Sequence, residues 1–233
     1  MHRFFVAPDE MAGERFPLPR GIAHQVSRVL RLHDGERLML LDGAGGRATC
    51  RLESGSCVVE ERGAAGGEPA HRLSLVLALL RGDHLEPVIR HATEIGVAEF
   101  RLMVSERCVA RELSPRRLER LRDVAREAAE QSERGRIPAV IEPRPFGEIV
   151  AELPDDAVLL FERGAGTGLA QLAAERLPSA LVIGPEGGFA PGEVEVARAA
   201  GLRIGGLGVR ILRSETAALS GAAIVLSAAG DFA

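Results

Sequence analysis

Two glycine-rich stretches toward the end of the chain carry the residues best suited to chemistry. Gly184-Pro185-Glu186-Gly187-Gly188 follows directly on the short apolar run Ala180–Ile183. Glycines have no Cβ, so such a turn lets backbone come close to a ligand. The second stretch, residues 205–213, mixes Gly205, Gly206 and Gly208 with Leu207, Val209, Ile211 and Leu212. It also carries the guanidinium groups of Arg210 and Arg213. Neither stretch is a dinucleotide fingerprint, because no GxGxxG occurs, and a phosphate-cradling loop needs a lysine that this chain lacks. A glycine turn after a strand can be a plain tight connection. Two of them, with backbone amides and carbonyls and apolar side chains, suit something flat and neutral. That points to a nucleoside-like ligand.

The elements that must position these loops are legible around them. Ala180–Ile183 has the length of a buried strand. Pro191 suits a first helical turn, Glu193 and Glu195 sit near its positive end, and the helix is predicted over Glu193–Ala200. Leu202–Leu207 is predicted as the next strand, and Ser214 as the N-cap of a last helix of small residues over Ala217–Ala229. Upstream, strands are predicted at Leu73–Leu80, Phe100–Val104, Ile137–Ile141 and Ala157–Phe161. Helices are predicted over Leu85–Ile95, from Pro115 behind a Ser114 cap, over Phe146–Leu153 and over Leu169–Leu177. Leu118, Leu121, Val124, Ala125 and Ala128 form the buried stripe of the long one. Such alternation means an α/β domain with a parallel sheet covered on both faces.

The first part reads differently. Phe4-Phe5-Val6, Arg37–Gly43, Arg47–Leu52 and Cys57–Glu61 are short strands joined by turns such as Ser54-Gly55-Ser56, a pattern of small β-barrels. His24–Leu32 is predicted helical, with Ile22, Val26, Val29 and Leu30 on one side. Residues 62–69 (Arg-Gly-Ala-Ala-Gly-Gly-Glu-Pro) have linker composition. The expected organisation is therefore a β domain with linker over 1–68 and an α/β domain over 69–233.

Composition narrows the chemistry. All 29 basic residues are arginine, so lysine Schiff-base and lysine general-base mechanisms are excluded. Trp and Tyr are absent, leaving Phe, His or Arg to stack on a base. Cys50, Cys57 and Cys108 are too scattered for a metal cage, and free thiols in a reducing compartment are expected. With no secretory signal and no apolar run near the ~20 residues that cross a bilayer, a cytoplasmic protein is expected. The formal net charge is −4, yet residues 69–144 hold 14 arginines against 12 acids. Nucleic-acid binding needs a local patch, not a basic whole.

The blocks GPEGGF, LGVRILRSETA and the glutamate and alanines between and after them resemble the cofactor end of the SPOUT RNA methyltransferases. More closely they resemble the ribosomal RNA small-subunit methyltransferase E family, which methylates N3 of a uridine. Met1–Val6, His24 with Arg28–Leu32 and Gly35, Glu86 with Ala92–Val97, Ser105–Arg107, and Glu127–Arg134 follow in that family's order, so the resemblance spans nearly the whole chain. It implies a PUA-like RNA-binding barrel followed by a SPOUT-type parallel sheet whose last helix threads a trefoil knot, against the general rule that chains avoid knots. It further implies a homodimer with each RNA site drawing on both subunits. The alanine-rich, nearly uncharged last helix suits close packing on another surface. His91 and Arg81 depart from the pattern, since lysine is common at both, and only Arg81 keeps a permanent cation.

The resemblance assigns S-adenosyl-L-methionine as cofactor and 16S ribosomal RNA in the small subunit as partner, with no metal and no membrane. Gly184, Pro185, Glu186, Gly187 and Gly188 would lie against ribose and the methionine part. Leu207, Gly208, Ile211 and Leu212 would take adenine through backbone atoms, with apolar side chains as walls. Methylating uridine N3 requires loss of its proton, leaving negative charge over O2, N3 and O4. An arginine beside that anion stabilises it, and a carboxylate could take the proton. Arg213, Arg210 and Glu215 flank the loop and are the first candidates, with Glu94 in the second group. Arg3, Arg28, Arg31, Gln131 and Arg134 are candidate RNA contacts, Gln131 and Arg134 for a splayed-out base. Taken without the family, an Arg-Glu pair such as Arg213 with Glu215 is more often an ordinary capping or surface interaction; with the blocks in order, the functional reading is favoured. Two other functions stay open: a SPOUT ribose 2′-oxygen methyltransferase acting on tRNA, and a non-catalytic RNA-binding module.

Overall fold

Alternation of buried and open residues along short strands builds the N-terminal unit. The computed structural model describes residues 1–162 and 166–232. The chain divides into two compact units, Met1–Glu68 with Ala129–Ile137, and Pro69–Ala128 with residues 138 onward. The first holds β1 (His2–Phe5), β2 (Arg15–Pro17), α1 (Arg20–His24), β3 (Arg37–Leu41), β4 (Gly46–Glu53) and β5 (Ser56–Ala64). They form one sheet of order β1-β3-β4-β5-β2, parallel only at β1–β3. Ala48, Cys50 and Leu52 alternate inward along β4 and meet Phe4, Phe16, Leu38, Leu40 and Cys57 in its core. Ser54 and Gly55, with φ of 49° and 76°, give the β4–β5 hairpin the two left-handed positions that a two-residue turn of matching twist needs.

Three expectations change in this unit. β2 was not foreseen, being three residues that pair with β5 only through tertiary contact. The helix expected over His24–Leu32 is α1 followed by a π-helical turn, Gln25–Val29, in which the Leu30 N–H donates to the Gln25 carbonyl at 2.9 Å. The wider turn rotates Val29 outward, to 63% exposure, while Ile22 and Val26 stay buried. The stretch with linker composition is structured: β5 pairs Ala64 with Gly46, and Glu68 accepts the Arg134 guanidinium at 2.6 Å.

The second unit carries β6 (Ser74–Ala78), α2 (Leu85–Ile95), β7 (Glu99–Val104), α3 (Pro115–Gln131), β8 (Ala139–Pro145), α4 (Phe146–Val150) and β9 (Val158–Leu160). β10 (Thr167–Gly168), α5 (Leu169–Glu175), β11 (Ala180–Ile183), α6 (Pro191–Ala199), β12 (Arg203–Gly206) and α7 (Ser214–Ala228) complete it. The last three residues of α3 belong to the first unit. The seven strands are all parallel, in the order β10-β12-β9-β11-β6-β7-β8. β9 and β11 are buried along their whole length, as strands covered on both faces must be. Ser114 Oγ caps α3 by accepting the Arg117 N–H at 3.3 Å. Ala218, Gly221, Ala222 and Val225 bury one side of α7 within this unit. A Cβ at Gly221 would lie 3.0 Å from Leu181 and 3.1 Å from Leu160, so the small residues let this helix lie close on the sheet. Ser214 is not the N-cap of α7: Arg213 holds that position without a side-chain cap, and Ser214 is the first helical residue. Among the described residues no helix is long and apolar enough to cross a membrane.

Candidate functional site

Four neighbouring strands of the parallel sheet, β12, β9, β11 and β6, end side by side, and the segments that follow them enclose a cavity of about 440 Å³. Ligands in open α/β sheets bind beyond the carboxyl ends of strands, and this volume falls in the range of small-molecule sites. The segment after β11 is rigidly built. The Gly188 N–H donates to the Pro185 carbonyl at 2.9 Å, and Arg107 Nη1 donates to the Gly187 carbonyl at 3.1 Å. The Arg81 N–H donates to Glu186 Oε1 at 2.9 Å. Phe189, buried against Phe146, lies under Gly184 so closely that a Cβ there would be 3.1 Å from its ring. A Cβ at Gly187 would sit 3.3 Å from Arg107 Cβ, and Gly188 has φ of +66°. These glycines therefore answer to packing and backbone shape inside the chain, and not only to a ligand's approach.

The segment after β12 is open. Leu207 and Leu212 are half-buried, and Val209 is 96% exposed. Ile211 lines the cavity yet is 72% exposed, so the apolar wall expected of its side chain is an open rim. Arg210 and Arg213 also line the cavity, and among the described residues neither guanidinium has an ion-pair or hydrogen-bond partner. Glu215, in the first turn of α7, places Oε1 at 2.5 Å from His84 Nδ1, while Oε2 is buried with no partner. Burial pushes its carboxyl up. Hydrogen bonds from His84 and from its own backbone N–H, with the charges of His84 and Arg213, outweigh that and hold it below the usual carboxylate range.

Every residue expected at the cofactor, from Gly184 to Gly188 and at Leu207, Gly208, Ile211 and Leu212, lines this one cavity, as do Arg210, Arg213 and Glu215. Glu94 does not. It is exposed on α2 and pairs with His91 at 3.3 Å, because its helical phase carries it away from the strand ends. Of the expected RNA contacts, Arg28, Arg31 and Gln131 are exposed, and Arg31 holds a left-handed φ of 54°. Arg3 donates to the Glu133 carbonyl and pairs with its carboxylate at 2.8 Å. Arg134 is 2% exposed and gives both Nε and Nη2 to Glu68, so its guanidinium ties the chain together and does not face outward. His84, Leu160, Phe161, Glu162 and Ile183 line the cavity without having been singled out. Their signal was position after β6, at and just beyond the end of β9, and at the end of β11, which is usable only once strand neighbours are known.

The cavity fits S-adenosylmethionine. Leu207, Leu212, Ile183 and Phe161 offer apolar faces for a base, and the carboxylates of Glu162, Glu186 and Glu215 suit a cationic ligand.

Comparison with known proteins agrees with this geometry. An RNA methyltransferase domain matches residues 67–226, and an RNA methyltransferase PUA domain matches residues 27–61. The ribosomal RNA small subunit methyltransferase E of Synechocystis is 35% identical, over 93% of this chain and 74% of its own. That of Bacillus subtilis is 30% identical, over 94% and 93%. The crystal structure of the Neisseria gonorrhoeae enzyme of that name, bound to S-adenosyl methionine, superposes with a TM-score of 0.84 at 29% identity, covering 97% of each chain. With matches running through both units, the protein belongs to the ribosomal RNA small subunit methyltransferase E family of RNA methyltransferases.

Proposed function

We propose that this protein transfers a methyl group from S-adenosylmethionine to N3 of a uridine in small-subunit (16S) ribosomal RNA. The observation that carries the reading is a cavity at four adjacent strand ends that gathers the two glycine loops, two unpartnered arginines and the Glu215–His84 pair. The names borne by the relatives in Synechocystis and Bacillus subtilis support small-subunit ribosomal RNA as the substrate.

When bound, S-adenosylmethionine supplies an electrophilic methyl group. The chain does the rest. Backbone of residues 184–188 and 207–212 holds and orients the donor, and Leu207 and Leu212 exclude water from one side of it. Arg213, together with Arg210, stabilises the uridine anion through a permanent charge and a planar fork of donors. Arg28 and Arg31 in the PUA unit are free to meet phosphate, and Gln131 to contact the base. A homodimer belongs to the same reading. The outer side of α7, where Ala223, Ile224, Ser227 and Ala228 meet Ala170 and Phe232, forms an apolar hollow suited to a second copy. So does the trefoil knot at α7, which follows from family resemblance. A cytoplasmic site of action is inferred with the ribosomal substrate.

A formed cavity with unpartnered arginines disfavours a non-catalytic RNA-binding module. The test is mass mapping of methylated nucleotides in ribosomal RNA from a strain lacking this protein. Loss of one N3-methyluridine from the small subunit, restored by the gene, is expected. An unchanged small-subunit map with a lost 2′-O-methyl group in tRNA would replace this reading with the ribose one.

A further inference from the structure

His84 was not among the residues expected at the site, and the mechanism above leaves the acceptor of the N3 proton unassigned. His84 directly precedes α2, lines the cavity, and has half of its side chain exposed. Its Nδ1 is 2.5 Å from Glu215 Oε1. An ionised carboxylate only accepts hydrogen bonds, so Nδ1 carries the proton, and in the neutral imidazole it is Nε2 that keeps the lone pair. Glu215 is a poor direct acceptor: one oxygen is engaged by His84 and the other is buried. A carboxylate on Nδ1–H with Nε2 open is the arrangement that fixes an imidazole's tautomer for general-base work. Imidazole is also the side chain best matched to taking a proton near neutral pH. Among the described residues, Arg213 acts on Glu215 by its charge, Asp83 is turned to Arg117 at 3.8 Å, and Glu162, Glu186 and Arg210 share the cavity.

We propose that His84 is the general base that removes the N3 proton of the target uridine, held in the productive tautomer by Glu215; this rests on the uridine-N3 reading above. The N3–H bond breaks and its electron pair stays on the ring, spread over O2, N3 and O4. An N–H bond forms at Nε2, giving an imidazolium beside the Glu215 carboxylate. The uracil anion faces Arg213 until N3 is methylated. The proton then passes to water from the half-exposed ring.

The experiment uses the full-length chain, small subunits from a strain lacking it, single-turnover methylation and calorimetry with S-adenosylhomocysteine. His84→Asn keeps an amide donor where Nδ1–H stood but has no second nitrogen to accept a proton. Its rate should fall about 10²–10⁴-fold at neutral pH, with S-adenosylhomocysteine affinity within about twofold. The lost rate should return about tenfold per pH unit as uridine N3 approaches its own pKa of roughly 9. Subunits carrying 5-fluorouridine at the target, whose fluorine makes N3 more acidic, should restore it at neutral pH. Glu215→Leu, which removes the acceptor, should move the His84 proton from Nδ1 towards Nε2 in histidine ¹⁵N spectra, assigned by its absence in His84→Asn. A wild-type rate in His84→Asn would reduce His84 to a clamp on Glu215 and overturn the proposal. So would a loss of methylation matched by an equal loss of S-adenosylhomocysteine affinity. A wild-type chain that binds S-adenosylhomocysteine but makes no N3-methyluridine would refute the functional reading itself, and the proposal with it.

Discussion

The two glycine loops of the cavity differ in how they are held. Residues 184–188 are tied by Arg107, by the backbone at Arg81 and by an internal turn, and they rest on Phe189. Among the described residues, the side chains of 207–213 make no hydrogen bond or ion pair, and Val209 stands almost wholly in solvent. One loop is a pre-formed cradle and the other a cover with little to unmake. Preorganisation lowers the cost of binding, whereas a loosely tied segment can close over a ligand and release it. Under the proposed reaction the two arginines ride on the loosely tied side, where the uridine anion they would meet exists only during turnover.

Four predictions sharpen or break that contrast. The largest effect is expected at Arg213. Arg213→Ala should cut single-turnover methylation by about 10²–10³-fold, as for the loss of one oxyanion-type donor, with cofactor affinity nearly unchanged. Arg213→Lys should regain only part, since lysine lacks the planar fork. Near-native turnover in the alanine variant would hand the role to Arg210.

Next comes the cradle. Gly188→Ala forces a side chain onto φ of +66° and sets a Cβ 2.9 Å from Glu162 Oε1. It should cost about 1–2 kcal/mol of stability in denaturant titration and weaken the cofactor about tenfold by calorimetry. An undiminished affinity would mean that the cradle adjusts as freely as the cover.

A smaller effect is expected from acid. The Glu215 carboxyl is lowered from 4.5, so the stability it adds is full above that value. That contribution is lost as pH falls through its depressed folded value, because the unfolded chain then binds the proton more readily. Glu215→Gln should flatten this part of the acid limb in melting scans between neutral pH and about 3. Superimposable scans would show that His84 and Arg213 do not hold the carboxylate ionised.

Smallest of all is Gly208→Ala. Its φ is +96°, but nothing lies within 4 Å of the added Cβ, so only the backbone preference of about 1 kcal/mol is at stake. Cofactor affinity within about threefold of wild type is expected. A loss as large as that of Gly188→Ala would mean that the cover is as rigid as the cradle.

How far the residues themselves reached can be judged from particular elements. Local pattern was enough for α2 and β11, whose bounds of Leu85–Ile95 and Ala180–Ile183 are those read from periodicity and apolar run. It was also enough to single out both glycine loops, since turn composition is a near-neighbour property. It failed at the π turn of Gln25–Val29, where one wider turn shifts every later side chain, and at the short strands β2 and β10, which exist only through their partners.

The sharper division falls between residues of one chemical type. Arg134 and Arg213 are both guanidinium groups near glutamates in sequence, yet one is buried on Glu68 and the other faces a cavity. Glu94 and Glu215 both stand on helices, yet only Glu215 meets His84, 131 positions away. Sequence determined which elements form, because helical and strand periods repeat within a few residues. Only the tertiary structure decided that β12, β9, β11 and β6 lie side by side. That order depends on packing and pairing between segments far apart in the chain, and it is what brings His84, Arg213 and Glu215 to one place.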